Sequence, residues 1–98
     1  MKANLPAQVQ QELVLLAQKY DVAKLVLFGS RARGSHQPKS DIDLAVYGCR
    51  DFLNFSFDVD EKTWTLLTYD IIDMEQNVSP ELVREIKRDG VTLYEKIC

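Results

Sequence analysis

The stretch DIDLAVYG, residues 41–48, limits the fold more than any other part of the chain. Its residues alternate in character. Ile42, Leu44 and Val46 belong on one side of an extended strand, and Asp41, Asp43, Ala45 and Tyr47 on the other. The aliphatic side demands a core. The opposite side carries two carboxylates whose α-carbons lie roughly 6.5–7 Å apart at the usual strand rise. Acids this close repel one another and titrate as a coupled pair. By itself the pair has two explanations, a solvated strand face or a set of ligands for a divalent cation. Mg²⁺ is the natural candidate, because it takes carboxylate, phosphate and water oxygens.

The flanking sequence supplies the rest of a small sheet. Residues 24–29, KLVLFG, form a short apolar run closed by glycine and read as a strand. Ser30 to Arg33 could begin a short helix stopped at Gly34, and SHQPKS at 35–40 is a polar loop. Upstream, Val9, Leu13, Leu16, Ala17 and Tyr20 make one apolar stripe on a helix predicted over 6–20, with Pro6 in its first turn. Residues 51–63 fit either period, through Phe52, Phe55 and Val59 or through Phe55, Phe57 and Val59. Helix is preferred because a crossover must precede the next strand. That strand is predicted over 65–74, TLLTYDIIDM. Ser79 and Pro80 then open a helix with Leu82, Val83 and Ile86 as its apolar face, Gly90 stops it, and residues 91–96 form a last strand. The expected fold class is α/β (α+β), one domain over residues 1–98, with a small mixed sheet flanked by helices.

Bulk properties narrow the function. A chain of 98 residues hides only about 60–65% of its unfolded surface, so an enclosed substrate pocket is not expected. The site should be open or completed by a partner, and a homo-oligomer is one way to complete it. A net charge of −3 speaks against a general nucleic-acid binder. Cys49 and Cys98 match no metal-ligand spacing and read as two free thiols. The N-terminal sequence lacks the apolar run of a signal peptide, and the longest apolar run, 13–17, is too short to span a bilayer. A cytoplasmic location is expected.

The Gly29-Ser30 pair changes the weighing of the aspartates. Glycine at a strand end lets the backbone approach a ligand, and a serine opening a helix offers a hydroxyl beside free N–H groups that attract phosphate. Arg31 and Arg33 add fixed positive charge suited to a triphosphate. Alone, this segment is equally a capped turn with surface arginines. Joined to Asp41-Ile42-Asp43 after ten intervening residues, it makes the pattern G-S-x10-D-x-D.

On that pattern LFGSRARGSHQPKSDIDLAV resembles the minimal nucleotidyltransferase (MNT) family of the DNA polymerase β superfamily. YDIIDM and SPELVREIKRDGVTLYEK extend the likeness to the C-terminal half, while 49–63 is unmatched. The resemblance implies a polymerase-β-like nucleotidyltransferase fold. It implies that Asp41 and Asp43 hold one or two Mg²⁺ ions. It also implies that Gly29 and Ser30 seat the β- and γ-phosphates of a nucleoside triphosphate, with ATP the expected donor. Arg31 and Arg33 stand at motif positions, where each either touches phosphate or serves the structure, Arg33 through an ion pair.

The family needs a third carboxylate on a neighbouring strand to complete a metal site and accept a proton. Asp70 and Asp73 compete and would face opposite sides of their strand. Asp70 is preferred, since it lies between apolar residues inside the strand, whereas Asp73 suits a cap at the strand's end. Asp58, Asp60 and Glu61 read as a solvated helix face, and His36 as a solvent-exposed loop residue. Ser40 is expected to cap a turn, and Trp64 and Tyr47 to pack in the core or at its rim, with Tyr47 bordering the aspartates.

The resemblance also implies a partner. Small stand-alone members pair with a helical HEPN protein as antitoxin and toxin, so the acceptor is expected to be a hydroxyl on that partner. Two alternatives stay open: a binding module that neutralises its partner by contact, and a small-molecule transferase similar to aminoglycoside nucleotidyltransferases.

Overall fold

The computed structural model describes residues 4–97. Helix α1 spans Ala7–Lys19, strand β1 Lys24–Phe28, helix α2 Ser30–Arg33, strand β2 Ile42–Tyr47 and helix α3 Phe52–Lys62. Strand β3 spans Tyr69–Asp73, helix α4 Pro80–Asp89 and strand β4 Val91–Glu95. The four strands form one mixed sheet in the order β3-β2-β1-β4. β1 pairs antiparallel with β2 and β4, and β2 pairs parallel with β3. The parallel pair requires a crossover, which α3 supplies. This is why residues 51–63 resolve as helix although their apolar pattern also fits a strand.

The alternation in β2 divides the core between the two faces. Ile42, Leu44 and Val46 are fully buried in the larger cluster, together with Val9, Leu13 and Ala17 of α1 and Phe55 and Val59 of α3. On the other face Ala45 joins Val26, Phe28 and Ile86, with Ile72, Tyr47 and Leu82 packed against them. The amphipathic α4 covers that face only in part, and it leaves the Asp43 end of β2 half-open. Ser79 caps α4, its Oγ accepting the Leu82 N–H at 3.2 Å, and Pro80 occupies the first helical position.

Several sequence expectations are corrected here. The third strand is shorter than predicted. Residues 65–68 form a turn instead, in which the Thr65 N–H donates to the Thr63 carbonyl at 2.9 Å and the Leu67 N–H to Thr65 Oγ1 at 3.1 Å. A threonine hydroxyl that bonds the local backbone competes with a sheet ladder, and here the turn wins over β propensity. Trp64 sits on that turn and is 78% exposed, not packed. Its backbone N–H, not its ring, is anchored, by Glu12 Oε1 at 2.7 Å.

Asp58 is not solvated but only 7% exposed. Its Oδ2 accepts the Tyr20 hydroxyl and pairs with Lys19 and Lys62, each at 3.5 Å, tying α1 to α3. The hydrogen bond from Tyr20 holds the Asp58 carboxyl below the usual carboxylate range, and the tyrosine in turn is pushed up to about 12. His36 is half-buried, with Nδ1 enclosed and unbonded among the described residues. Ser40 does cap a turn, its Oγ accepting the Gln37 N–H at 2.8 Å. Cys49 is a free, buried thiol, and Cys98 lies outside the described residues. No helix among the described residues is long and apolar enough to cross a membrane.

Candidate active site

Two neighbouring features of the backbone bring the halves of the motif together. β1 ends at Phe28, the register partner of Asp43 on β2. The chain then turns through Gly29 at φ +76°, a conformation open to glycine and strained for other residues. A Cβ built on Gly29 would overlap Asp43 Oδ2 and lie 3.1 Å from its carboxyl carbon. The Gly29 backbone therefore lies directly against the Asp43 carboxylate. Ala32 and Arg33 both donate their N–H to the Gly29 carbonyl at 3.1 Å. The N–H groups of Ser30 and Arg31 precede those first helical bonds, so the helix itself supplies them no carbonyl partner.

On the other side of Asp43 lies β3, where Asp70 is the register partner of Asp43. Asp70 is exposed, because β3 is an edge strand. Its place between apolar residues of the strand suggests a buried carboxylate. The sheet order supplies a simpler account: the group is at the rim and remains solvated. Asp73 lies at the far end of β3, opposite Val46, and its Oδ1 accepts the Glu75 N–H at 3.0 Å. It caps the strand end, as expected.

Asp41 sits one residue ahead of β2 and is exposed. Its Oδ1 accepts the hydroxyl of Thr68, the residue just before β3. Asp43 is the most enclosed of the three acids. Burial pushes its carboxyl up to about 6, Asp70, Asp41 and Glu85 push in the same direction, and Arg33 opposes them. Concentrated negative charge of this kind is relieved by a cation.

Among the described residues no group of three acidic, histidine or cysteine side chains is arranged as a ready metal cage. That still fits Mg²⁺, which is typically held by one or two carboxylates together with substrate phosphates and water. The donor set is all oxygen, as that ion requires.

The two arginines part company. Of the two roles open to Arg31, phosphate contact or structural support, the structure shows the second. Arg31 is 5% exposed, and its Nε, Nη1 and Nη2 donate to the carbonyls of Ser40, Asn4 and Pro38 at 3.1, 3.1 and 3.2 Å. Its guanidinium is spent on folding the 35–40 loop back so that Asp41 returns beside the turn. Arg33 stays at the surface, with Nη1 3.6 Å from Glu85 and 4.0 Å from Asp89 on α4. It forms the ion pair foreseen for it, and it remains close enough to Asp43 to lower that group's pKa.

Residues 11–97 match the family described as Polymerase beta, Nucleotidyltransferase, which covers most of the chain. The chain belongs to this nucleotidyltransferase family. A Methanocaldococcus jannaschii protein that carries the name of a protein adenylyltransferase is 39% identical over 82 residues, covering 74% of this chain and 79% of the relative.

Several solved structures similar to this nucleotidyltransferase come from toxin–antitoxin complexes. A chain from a complex with AMP-PNP superposes with a TM-score of 0.66 at 21% identity, over 89% of this chain and 73% of the other. A chain from the complex of tri-AMPylated Shewanella oneidensis HEPN toxin with MNT antitoxin gives 0.60 at 18%, over 90% and 71%. These likenesses establish the polymerase-β-like fold.

Sequence reasoning missed two members of the site. Glu85 on α4 pairs with Arg33 and helps raise the pKa of Asp43, and Thr68 binds Asp41. Thr68 lay inside a segment read as strand, and Glu85 belongs to the polar side of a helix whose packing partner no local pattern names.

Proposed function

We propose that this chain is an Mg²⁺-dependent adenylyltransferase acting as one minimal domain over residues 1–98. It would move a nucleoside monophosphate, AMP from ATP in the first instance, to a hydroxyl on a partner protein: the hydroxyl oxygen bonds to the α-phosphorus, the bond from that phosphorus to the β-phosphate bridge breaks, and pyrophosphate leaves. The observation that carries this reading is the packing of Gly29 against the Asp43 carboxylate, with Asp70 in register on the next strand. The phosphate-seating turn and the acids thus share one open rim.

Asp41, Asp43 and Asp70 would hold the metal. Bound there, Mg²⁺ would neutralise the carboxylates and offset the charge that builds up at the attacked α-phosphorus. The Gly29-Ser30 backbone and the Ser30 hydroxyl seat the β- and γ-phosphates, and Arg33 adds a positive charge at the edge of that seat. Asp70, exposed and acidic, would accept the proton of the attacking hydroxyl. Arg31 positions the loop that returns Asp41.

The partner is read as a small helical HEPN-type toxin and the setting as cytoplasmic, with this chain as antitoxin. The names of the similar complexes and of the adenylyltransferase relative support that reading. Incubation with the HEPN-type partner, Mg²⁺ and labelled ATP should transfer label to the partner. The double variant Asp41→Asn with Asp43→Asn should still bind the partner and transfer no label.

A second reading, neutralisation by contact, draws on Leu53, Phe57, Trp64 and Leu66, which are 62–104% exposed. Full neutralisation by the double variant would favour it over the catalytic reading.

A further inference from the structure

Asp41 poses a geometric problem that the sheet does not solve. It precedes β2 by one residue and is exposed, so neither the strand ladder nor core packing fixes its carboxylate. Thr68 holds the neighbouring backbone and the carboxylate itself. The Thr68 carbonyl accepts the N–H of Ile42, Asp41's neighbour, at 3.0 Å, and the Thr68 hydroxyl donates to Asp41 Oδ1.

The grip comes from a well-anchored turn. Thr63 Oγ1 donates to the Val59 carbonyl of α3 at 2.8 Å and meets the Tyr69 hydroxyl at 2.6 Å. Glu12 of α1 holds the Trp64 N–H at 2.7 Å, and Thr65 Oγ1 holds the Leu67 N–H at 3.1 Å. The branched Cβ of Thr68 further restricts its χ1 rotation.

We propose that Thr68 is a positioning residue for metal binding. It occupies one oxygen of Asp41, stops the carboxylate rotating, and leaves Oδ2 directed for coordination. The proposal rests on the reading of Asp41 and Asp43 as metal ligands. Thr68 and Asp41 are both exposed, so their bond does little for folding and its energy goes to orientation. Hydrogen-bond partners behind a metal ligand are typically worth roughly 10–100-fold in metal affinity or activity.

Mn²⁺ serves as a paramagnetic probe. The measurement is the Mn²⁺ concentration that half-broadens the backbone amide resonances around Gly29 and Asp43 in the full chain, without nucleotide. Thr68→Val should raise that concentration about tenfold, with a melting temperature close to wild type. Thr68→Ser, which keeps the hydroxyl, should restore it to within about threefold of wild type. Asp43→Asn is the control on the underlying reading. If Asp43→Asn weakens Mn²⁺ binding and Thr68→Val does not, the positioning role is wrong while the metal site stands. If neither variant changes Mn²⁺ binding, the metal-site reading fails and the role of Thr68 fails with it. If the serine variant binds as weakly as the valine variant, the hydroxyl is not the operative group and the proposal is overturned.

Discussion

Gly29 and Asp43 decide the site at the scale of single residues. At φ +76° and against the Asp43 carboxylate, Gly29 has neither the conformation nor the space for a side chain. Gly29→Ala should cost about 1–3 kcal/mol in unfolding free energy, by denaturant titration, and should reduce adenylyl transfer by far more than that stability loss explains.

Asp43 gives a pH prediction with a definite sign. Its folded-state pKa is raised, to about 6, above the ordinary carboxylate value. The folded protein therefore binds this proton more tightly than the unfolded chain does. The resulting stabilisation is complete below the ordinary carboxylate range and is lost as pH rises through about 6. In chelator-treated protein, Asp43→Asn should be the more stable chain at pH 8. Its advantage over wild type should be about 1–2 kcal/mol after allowance for partial solvent screening, and should vanish near pH 4. Asp58 works in the opposite direction, since its lowered pKa means its contribution fades as pH falls. The difference between wild type and Asp43→Asn isolates the site from that background.

At the scale of elements, α4 and α3 show how far local chemistry reaches. The start of α4 was legible from Ser79-Pro80, because a capping hydroxyl and a proline at the first position act within one turn. Ser79→Ala should cost about 1 kcal/mol, read from the denaturant midpoint, with little effect on transfer. The identity of α3 was also legible, through the need for a crossover between parallel strands. The burial of Asp58 was not. A helix surface looks solvated until the Tyr20 hydroxyl and the Lys19 ammonium arrive from α1, 38 and 39 residues earlier in the chain. Asp58→Ala should lower the melting temperature by several degrees. Combined with Tyr20→Phe it should lower it by less than the sum of the two, since both changes break the same hydrogen bond. The predicted start of the third strand at residue 65 gives way to Tyr69 for a related reason. Thr63, Thr65 and Thr68 suit strands by propensity, but their hydroxyls are taken up by a turn, by a helix carbonyl and by Asp41.

Across the whole molecule the balance is between a small core and a concentration of negative charge at one rim. The chain carries a net charge of −3, and Asp41 and Asp70 add their negative charge to that of Asp43 beside the Gly29 turn. Mg²⁺ should therefore raise the melting temperature of the wild-type chain measurably, and more so with ATP. The double variant Asp41→Asn with Asp43→Asn should show no Mg²⁺-dependent rise in differential scanning calorimetry. An equal rise in both chains would place the ion elsewhere.

The sequence by itself determined the order of elements, the two-faced character of β2 and the joint meaning of Gly29-Ser30 and Asp41-Ile42-Asp43. These depend on periodicity, on caps and on spacing along the chain, all of which are local. Only the tertiary structure decided that Asp70 is Asp43's register partner at a solvated sheet edge. It also decided that Arg31 is buried against three carbonyls while Arg33 stays at the surface, and that Thr68 holds Asp41. Each of those depends on which distant backbone a side chain meets. That is set by strand order and packing, and no window of neighbouring residues contains it.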